Sequence, residues 1–249
     1  MEWYEILITI GIGLIAGFIN TLAGSGSLLT LPLLMFMGLP ANVANGTNRI
    51  AILLQNVVGV SSFKQQKVFT YKEGIWLAIP AIIGSILGAI LAVDLDEELM
   101  EKFIGGLLVF MFFFILYKPE RWLKGKAEIK SKPGISQIII FFFIGIYGGF
   151  IQAGVGFFLL AGLVLGAGFD LVKANAIKVF IVLLYTVFAL AIFMMNDQVN
   201  YVIGFVLAIG NMSGAYIASR LAVKKGTGFI RIILLATLAI SASKLFGLF

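Results

Sequence analysis

One stretch of this chain is written twice. Gly13-Leu-Ile-Ala-Gly17-Phe18-Ile19 returns in the second half as Gly145-Ile-Tyr-Gly-Gly149-Phe150-Ile151. After a two-residue deletion the echo continues at a constant spacing of 130, pairing Gly24 with Gly154, Gly26 with Gly156, Gly38 with Gly168, Ala44 with Ala174 and Asn45 with Asn175. Phe63 and Phe193, Tyr71 and Tyr201, Gly84 and Gly214, and Leu91 and Leu221 follow in the same register. Leu matched to Leu carries little weight in so apolar a chain. Glycine pairs and an asparagine pair in one ungapped register carry much more. The chain is two copies of one unit.

That unit belongs in a membrane. The chain is 61% hydrophobic and only 12% charged, with a mean hydropathy of +1.07. A water-soluble domain of 249 residues has no interior large enough for that much apolar surface. No polar stretch is long enough to fold by itself. Met1-Glu-Trp-Tyr-Glu5 lacks the positive region of a cleavable signal and reads as the start of the mature protein. The chain has no Cys and no His, which removes disulfides, thiolate or imidazole metal sites, and Cys or His nucleophiles and bases. No metal and no cofactor is expected. The net charge of +6 sits in short loops between apolar segments, where it sets topology and does not point to nucleic acid.

Charges and helix breakers divide the chain into ten apolar segments, near 3–22, 27–38, 41–63, 74–93 and 99–117, then 135–152, 156–168, 171–195, 199–219 and 229–247. Crossing a hydrocarbon core of about 30 Å takes roughly 20 helical residues. Two segments fall short, 27–38 and 156–168, and they occupy corresponding places in the repeat. Each follows a glycine-rich break, Ala23-Gly-Ser-Gly-Ser27 or Ala153-Gly-Val-Gly156. Glycine permits a sharp reversal there, and irregular backbone at membrane depth survives only inside protein or along a cavity. Each half therefore reads as a re-entrant, broken helical hairpin followed by three transmembrane helices. The alternative is a kinked pair of spanning helices turning outside the bilayer.

Loop charge orients the copies. Lys64, Lys67 and Lys72 form one basic cluster; Lys118, Arg121, Lys124, Lys126, Lys130 and Lys132 a second; Arg220, Lys224, Lys225 and Arg231 a third. All three are expected in the cytoplasm. Asp94, Asp96, Glu97, Glu98 and Asp197 then face the other side. The helix opened by Asn45 descends toward Lys64, whereas its counterpart opened by Asn175 leaves the cytoplasm toward Asp197, so the repeat is inverted. The expected fold is an all-α polytopic membrane protein of two inverted-topology repeats, 1–117 and 135–249, joined by a cytoplasmic basic linker at 118–134, with both termini outside. An inverted repeat of this length in a membrane protein is transporter architecture, with the site where the halves meet.

The opening Gly-x-Gly-x-x-x-Gly-Phe, the Ala-Gly-Ser-Gly-Ser turn, Leu31-Pro32 and Asn45-Gly-Thr-Asn48 together resemble the sulfite exporter TauE/SafE family. The resemblance runs from about Ile6 to Leu245. It implies a prokaryotic inner-membrane, multi-pass permease of two inverted halves that moves sulfite, sulfoacetate or related organosulfonates, usually outward. The second half departs from the first at three informative positions: Ser25 becomes Val155, Ser27 becomes Phe157 and Asn48 becomes Lys178. The site is expected to be asymmetric.

Polar side chains within apolar segments need a partner or a task. Turned backbone and half-helix N-termini suit an anion, which singles out Asn20, Ser25, Gly26 and Ser27 around one tip and Gln152, Gly154 and Gly156 around the other. Local capping and close helix packing would explain the same residues. A second group opens the helices after the hairpins: Asn45, Thr47, Asn48 and Arg49 in the first half, Asn175 and Lys178 in the second. The asparagines offer amide donors to sulfonate or sulfite oxygens, and the two bases offer positive charge. Snorkelling to the interface or binding lipid phosphate is the plainer role for the bases. Gln55, Asn56, Asn211 and Ser213 would line a path or hydrogen-bond between helices. Every carboxylate lies in a loop or near a helix end, Asp170 and Glu73 coming nearest the core. Transport is then passive or coupled through a protonated form of the anion.

The function that follows is a secondary transporter exporting small sulfur-containing anions by alternating access, with the lipid bilayer as a further partner and a second copy of the chain as a candidate one. An anion channel, or a permease for another small organic anion, is the nearest alternative. A non-transport assembly subunit would not need polar residues converging on two glycine breaks. The lack of His, Cys and any paired intramembrane carboxylates argues against a membrane-embedded enzyme.

Overall fold

A computed structural model describes residues 1–68, 70–116 and 134–245, without side chains at 73, 107–116, 231 and 234–245. The basic residues expected between 118 and 132 lie outside it. The described chain is all-helical: α1 (Trp3–Leu22), α2 (Ser27–Phe36), α3 (Ala41–Gln65), α4 (Tyr71–Val93), α5 (Glu97–Leu116), α6 (Ile135–Phe150), α7 (Val155–Ala161), α8 (Leu171–Met195) and α9 (Tyr201–Leu245). Among the described residues, Trp3–Leu22, Gly74–Val93, Leu171–Met195 and Tyr201–Ile230 are long and apolar enough to cross a membrane. The chain is a helical membrane protein.

The segment boundaries agree with those expected from glycines and charges, with two refinements. The last two segments form one helical run interrupted at Gly226, whose φ of 71° no helix contains. The second short segment loosens after Ala161 into a π-helical turn, Gly162–Gly166. Its first-half counterpart remains α-helical despite Pro32.

Backbone geometry repeats in the register of the sequence. α3 and α8 are both 25 residues long and both start 130 positions apart, at Ala41 and Leu171. Left-handed backbone recurs in pairs: Gly24 (82°) and Gly154 (73°), Gly38 (85°) and Gly168 (80°), Lys67 (57°) and Asp197 (54°). The last pair adopts this conformation without glycine in both halves, so the turn geometry itself recurs and not merely the residue type.

The helices interleave. In order of principal packing they run α1, α9, α3, α8, α4, α6, alternating between first and second half. The first helix of each half thus packs on the helix that opens at Tyr201 or Tyr71 in the other. Small residues make this possible. A Cβ on Gly17 would lie 2.2 Å from the Asn211 carbonyl oxygen, and one on Gly214 would lie 2.1 Å from that of Leu14. At the other end of the row, Cβ atoms on Gly88 and Gly149 would lie 2.0 Å from the carbonyl oxygens of Ile146 and Ser85. Pairs of glycines four apart on facing helices bring backbones into direct contact, as in GxxxG packing. Residue numbers rise together across both contacts, so α1 runs parallel to α9 and α4 parallel to α6. The central pair differs: Gly46 meets Phe193 and Gln198 while Gly59 meets Val179, so α3 and α8 are antiparallel.

The polar ends sort accordingly. Arg220 donates to Gln65 at 2.8 Å, and Gln66 donates to the Ser219 carbonyl. The clusters around Lys64 and Lys224 therefore share one end of the molecule. Gln198 donates to the Val93 carbonyl at 3.0 Å, placing the loop at Asp197 beside the acidic run at 94–98 on the opposite end.

Candidate functional site

The turns that follow α1 and α6 meet. Gly156 N–H donates to the Gly24 carbonyl (3.2 Å), and a Cβ on Gly24 would sit 2.2 Å from the Gly156 Cα. No side chain fits between two backbones that close, and Gly24 also has the positive φ that favours glycine. Gly24→Ala combines a left-handed cost of about 1–2 kcal/mol with a backbone clash that cannot relax along a side chain. It is expected to lower the melting temperature in detergent and to separate the tips. Gly38→Ala has equally positive φ but open space around it, and should cost only the first contribution.

A small cavity lies beside this contact. Asn20 and Gly24 border it from the first hairpin, Gln152, Val155 and Gly156 from the second, and Ile52, Gln55, Asn56, Lys178 and Val182 from α3 and α8. The space open to the centre of a water molecule is about 10 Å³, room for on the order of one water. An oxyanion does not fit in this space. Its polar walls are paired across the halves in a common pattern. Asn20 donates to Gln55 (3.3 Å), which also accepts from Asn211 (3.2 Å). In the matching slots, Gln152 donates to Thr186 (2.8 Å) and contacts the Tyr185 hydroxyl (3.5 Å). The pair Tyr185 and Thr186 thus receives the second hairpin's amide as Gln55 receives the first's, with Thr186 taking the shorter bond, whereas Asn56 donates to the Ile52 carbonyl of its own helix (2.7 Å). A search for matching amides passes over Tyr185 and Thr186; a polar pair 130 positions from another polar pair, inside an apolar helix, is the signal that finds them. Gln152 Oε1 and the Ser25 hydroxyl are buried without a hydrogen-bond partner.

The two bases named from the sequence are both buried, Arg49 at 0% and Lys178 at 2% exposed. Neither snorkels to an interface. Each caps the C-terminal end of the other half's first helix. Lys178 Nζ donates to the carbonyls of Asn20 (3.0 Å) and Thr21 (2.8 Å) at the end of α1, and to Asn175 Oδ1 (2.7 Å). Arg49 donates to the carbonyls of Gly148 (3.1 Å), Gly149 (2.6 Å) and Phe150 (3.4 Å) at the end of α6, and to Asn45 Oδ1 (3.3 Å). Its guanidinium lies over the Phe193 ring, 4.5 Å from the centroid. The last carbonyls of a helix have no intrahelical donor, and its dipole end attracts a cation. The bases are therefore equivalent in role but one register step apart: Arg49 matches Val179, and Lys178 matches Asn48.

The remaining candidates divide by position. Asn20, Gln152, Gly156 and Lys178 border the cavity. Asn45 and Asn175 stand behind it as acceptors for the two bases; the Asn45 amide also donates to the Phe150 carbonyl (2.7 Å) and that of Asn175 to the Leu171 carbonyl (3.1 Å). Asn48 accepts from Thr30 (2.7 Å) and donates to Ser27 (3.2 Å), fastening α2 to α3. Gly26 packs on α1, where a Cβ would lie 2.1 Å from the Ala16 carbonyl oxygen. Gly154, in the left-handed region, makes the turn into α7. Thr47 accepts from Asn200 N–H (2.8 Å) at the start of α9, and Ser213 bonds its own helix. Among residues with described side chains, no Asp or Glu is buried; Asp170 caps α8, accepting from Val172 and Lys173 N–H.

Comparison with known proteins gives a consistent class. The chain is 29% identical over 219 residues to a probable membrane transporter protein, ORF9, of a Sinorhizobium species, covering 87% of this chain and 83% of that one. It is 28% identical over 236 residues to the probable membrane transporter protein YfcA of Escherichia coli K12, covering 94% and 87%. A probable membrane transporter protein of Haemophilus influenzae is 26% identical, covering 88% and 86%. No solved structure matches. The family model of the sulfite exporter TauE/SafE matches residues 9–245, and the chain belongs to that family of membrane transporters.

Proposed function

We propose that this chain is a permease for small monovalent oxyanions of sulfur, sulfite in its singly charged form or an organosulfonate, working by alternating access around the cavity between the hairpin tips. The observation that carries this reading is a pair of buried cations with helix ends, and no described carboxylate, as partners. A helix C-terminus carries roughly half a negative charge. Two such ends leave about one unit of the two cations' charge uncompensated in a low-dielectric interior, where charge is costly. One monovalent anion completes the balance. The narrow cavity, bordered by both halves and by one cation, favours a carrier over an open pore.

The inverted arrangement of 1–117 and 135–249 around the basic linker is part of this proposal. The antiparallel central pair α3 and α8, the recurring left-handed turns and the sorting of charged ends support it. With the basic end in the cytoplasm of a prokaryotic inner membrane, both termini lie outside. The natural lack of cysteine makes this simple to test. Glu97→Cys and Asp197→Cys in intact cells should react with a membrane-impermeant thiol reagent, and Lys224→Cys only after the cells are opened. The opposite pattern overturns the orientation.

Substrate and coupling are tested together in liposomes. Sulfite and methanesulfonate are set at matched concentration against the doubly charged sulfate and sulfoacetate, with membrane potential and proton gradient imposed separately. Singly charged anions should move several-fold faster than sulfate. Methanesulfonate flux should follow the membrane potential and ignore the proton gradient, because no described buried carboxylate is available to carry a proton; hydrogen sulfite brings its own proton, so its flux does not read coupling. Stoichiometric proton movement with methanesulfonate overturns the passive form of the proposal.

A further inference from the structure

Arg49 and Lys178 perform matching tasks at the two hairpins, yet only Lys178 borders the cavity. We infer that Lys178 is a lock that the transported anion itself opens, while Arg49 is a permanent clamp. The end of α1 and its turn therefore move during the cycle, and the second hairpin's tip stays seated. This rests on the reading of the chain as an anion permease.

An ammonium has three donors, and all three of Lys178's are taken, two of them by carbonyls of the first hairpin. An anion entering the cavity reaches Nζ only by displacing an acceptor. It competes well, because an anion adds a charge–charge attraction that a neutral carbonyl lacks, and a lysine's flexible stem lets its charge follow the anion. Once Asn20 and Thr21 lose the lysine, the end of α1 keeps the apolar burial of Leu22 and Ala23 but few polar ties at this level. The Asn20–Gln55 bond is long, at 3.3 Å, and the Ser25 hydroxyl has no partner. Across the two tips, Gly156 N–H donates to the Gly24 carbonyl. The returning limb α2 stays fastened to α3 through Asn48, which confines the movement to the α1 end and the turn.

The second tip is held differently. Arg49 spreads its planar fork over three carbonyls and Asn45, with Phe193 beneath it, and none of these residues borders the cavity. The Tyr147 hydroxyl adds a bond to the Ala153 carbonyl within the turn. Its counterpart in the first hairpin is Ile15, which has no hydroxyl. A fold that repeats itself is thus locked by a replaceable bond on one side and a fixed one on the other.

Hydrogen exchange by mass spectrometry on the whole chain in lipid nanodiscs tests this, with sulfite as the probe. Peptides spanning residues 20–26 should exchange several-fold faster with sulfite, and those spanning 148–156 should not change. In Lys178→Met, residues 20–26 should exchange at the fast rate without sulfite, and sulfite should add nothing. Asn175→Ala, which leaves one lysine donor seeking an acceptor, should keep the first tip protected and shift the sulfite response to several-fold lower concentration. Equal responses at both tips, a response at 148–156 alone, or wild-type protection at 20–26 in Lys178→Met overturns the lock. Sulfite flux in liposomes from the same preparation separates the two levels. Flux without a response at the first tip sinks the lock and leaves the permease standing. Absence of both flux and response, with methanesulfonate as well as sulfite, sinks both.

Discussion

Lys178→Met should reduce sulfite flux into liposomes by about 100-fold while the protein still inserts and purifies. The magnitude follows from charge. Two unit charges about 4 Å apart at an effective dielectric near 20 attract by roughly 4 kcal/mol. Part of that is offset by the carbonyl bonds the lysine gives up, and a remainder near 3 kcal/mol corresponds to about 100-fold. Lys178→Arg keeps the charge but replaces a compact ammonium with a planar fork, so it should recover only part of the flux. Asn175→Ala should be much milder, since Asn175 touches the lysine and does not border the cavity. Initial rates normalised to inserted protein decide the matter. Wild-type flux in Lys178→Met would place the anion's route elsewhere.

Helix boundaries were legible because charge and glycine punctuate this chain at nearly every turn. The segment read as 171–195 forms Leu171–Met195, and the glycine breaks at 24 and 154 become the left-handed turns of the two tips. Of the residues named from the sequence, Asn20, Gln152, Gly156 and Lys178 border one cavity, whereas Asn45 and Asn175 stand behind it and Gly26 packs on α1. Two things were not legible. The first helix of each half crosses to the other half, and that exchange depends on which glycine faces meet in space, whereas GxxxG spacing shows only that some backbone comes close. The partners of the bases were hidden for a more general reason. A buried Arg or Lys suggests a carboxylate or a lipid phosphate, but here helix-end carbonyls take that role, and a main-chain acceptor leaves no trace in residue identity. The same limit concealed the equivalence of Arg49 and Lys178. Aligned residue by residue they face Val179 and Asn48; aligned by what they hold, they are the same element.

Arg49→Met should damage stability before it damages transport, the reverse of Lys178→Met. Removing the guanidinium leaves the Gly148 and Gly149 carbonyls without their donor, while Phe150 keeps the Asn45 amide. An orphaned buried acceptor costs about 1–3 kcal/mol, and losing a cation from a buried helix end adds up to about 2 kcal/mol. A net loss of roughly 4 kcal/mol corresponds to a melting temperature lower by about 10 °C for a chain of this size. Phe193 would retain its packing, so the loss belongs to the hydrogen bonds and not to a cavity. Arg49→Lys should recover about half of the shift, since an ammonium reaches some of these acceptors but cannot span the fork. Thermal unfolding followed by tryptophan fluorescence in detergent, beside flux of the surviving fraction, gives both readouts. If Arg49 is a clamp, flux per folded molecule stays within a few-fold of wild type although less protein survives heating. If flux per folded molecule instead falls as far as in Lys178→Met with the melting temperature unchanged, Arg49 binds the anion, and the two halves share the work that their sequences divide.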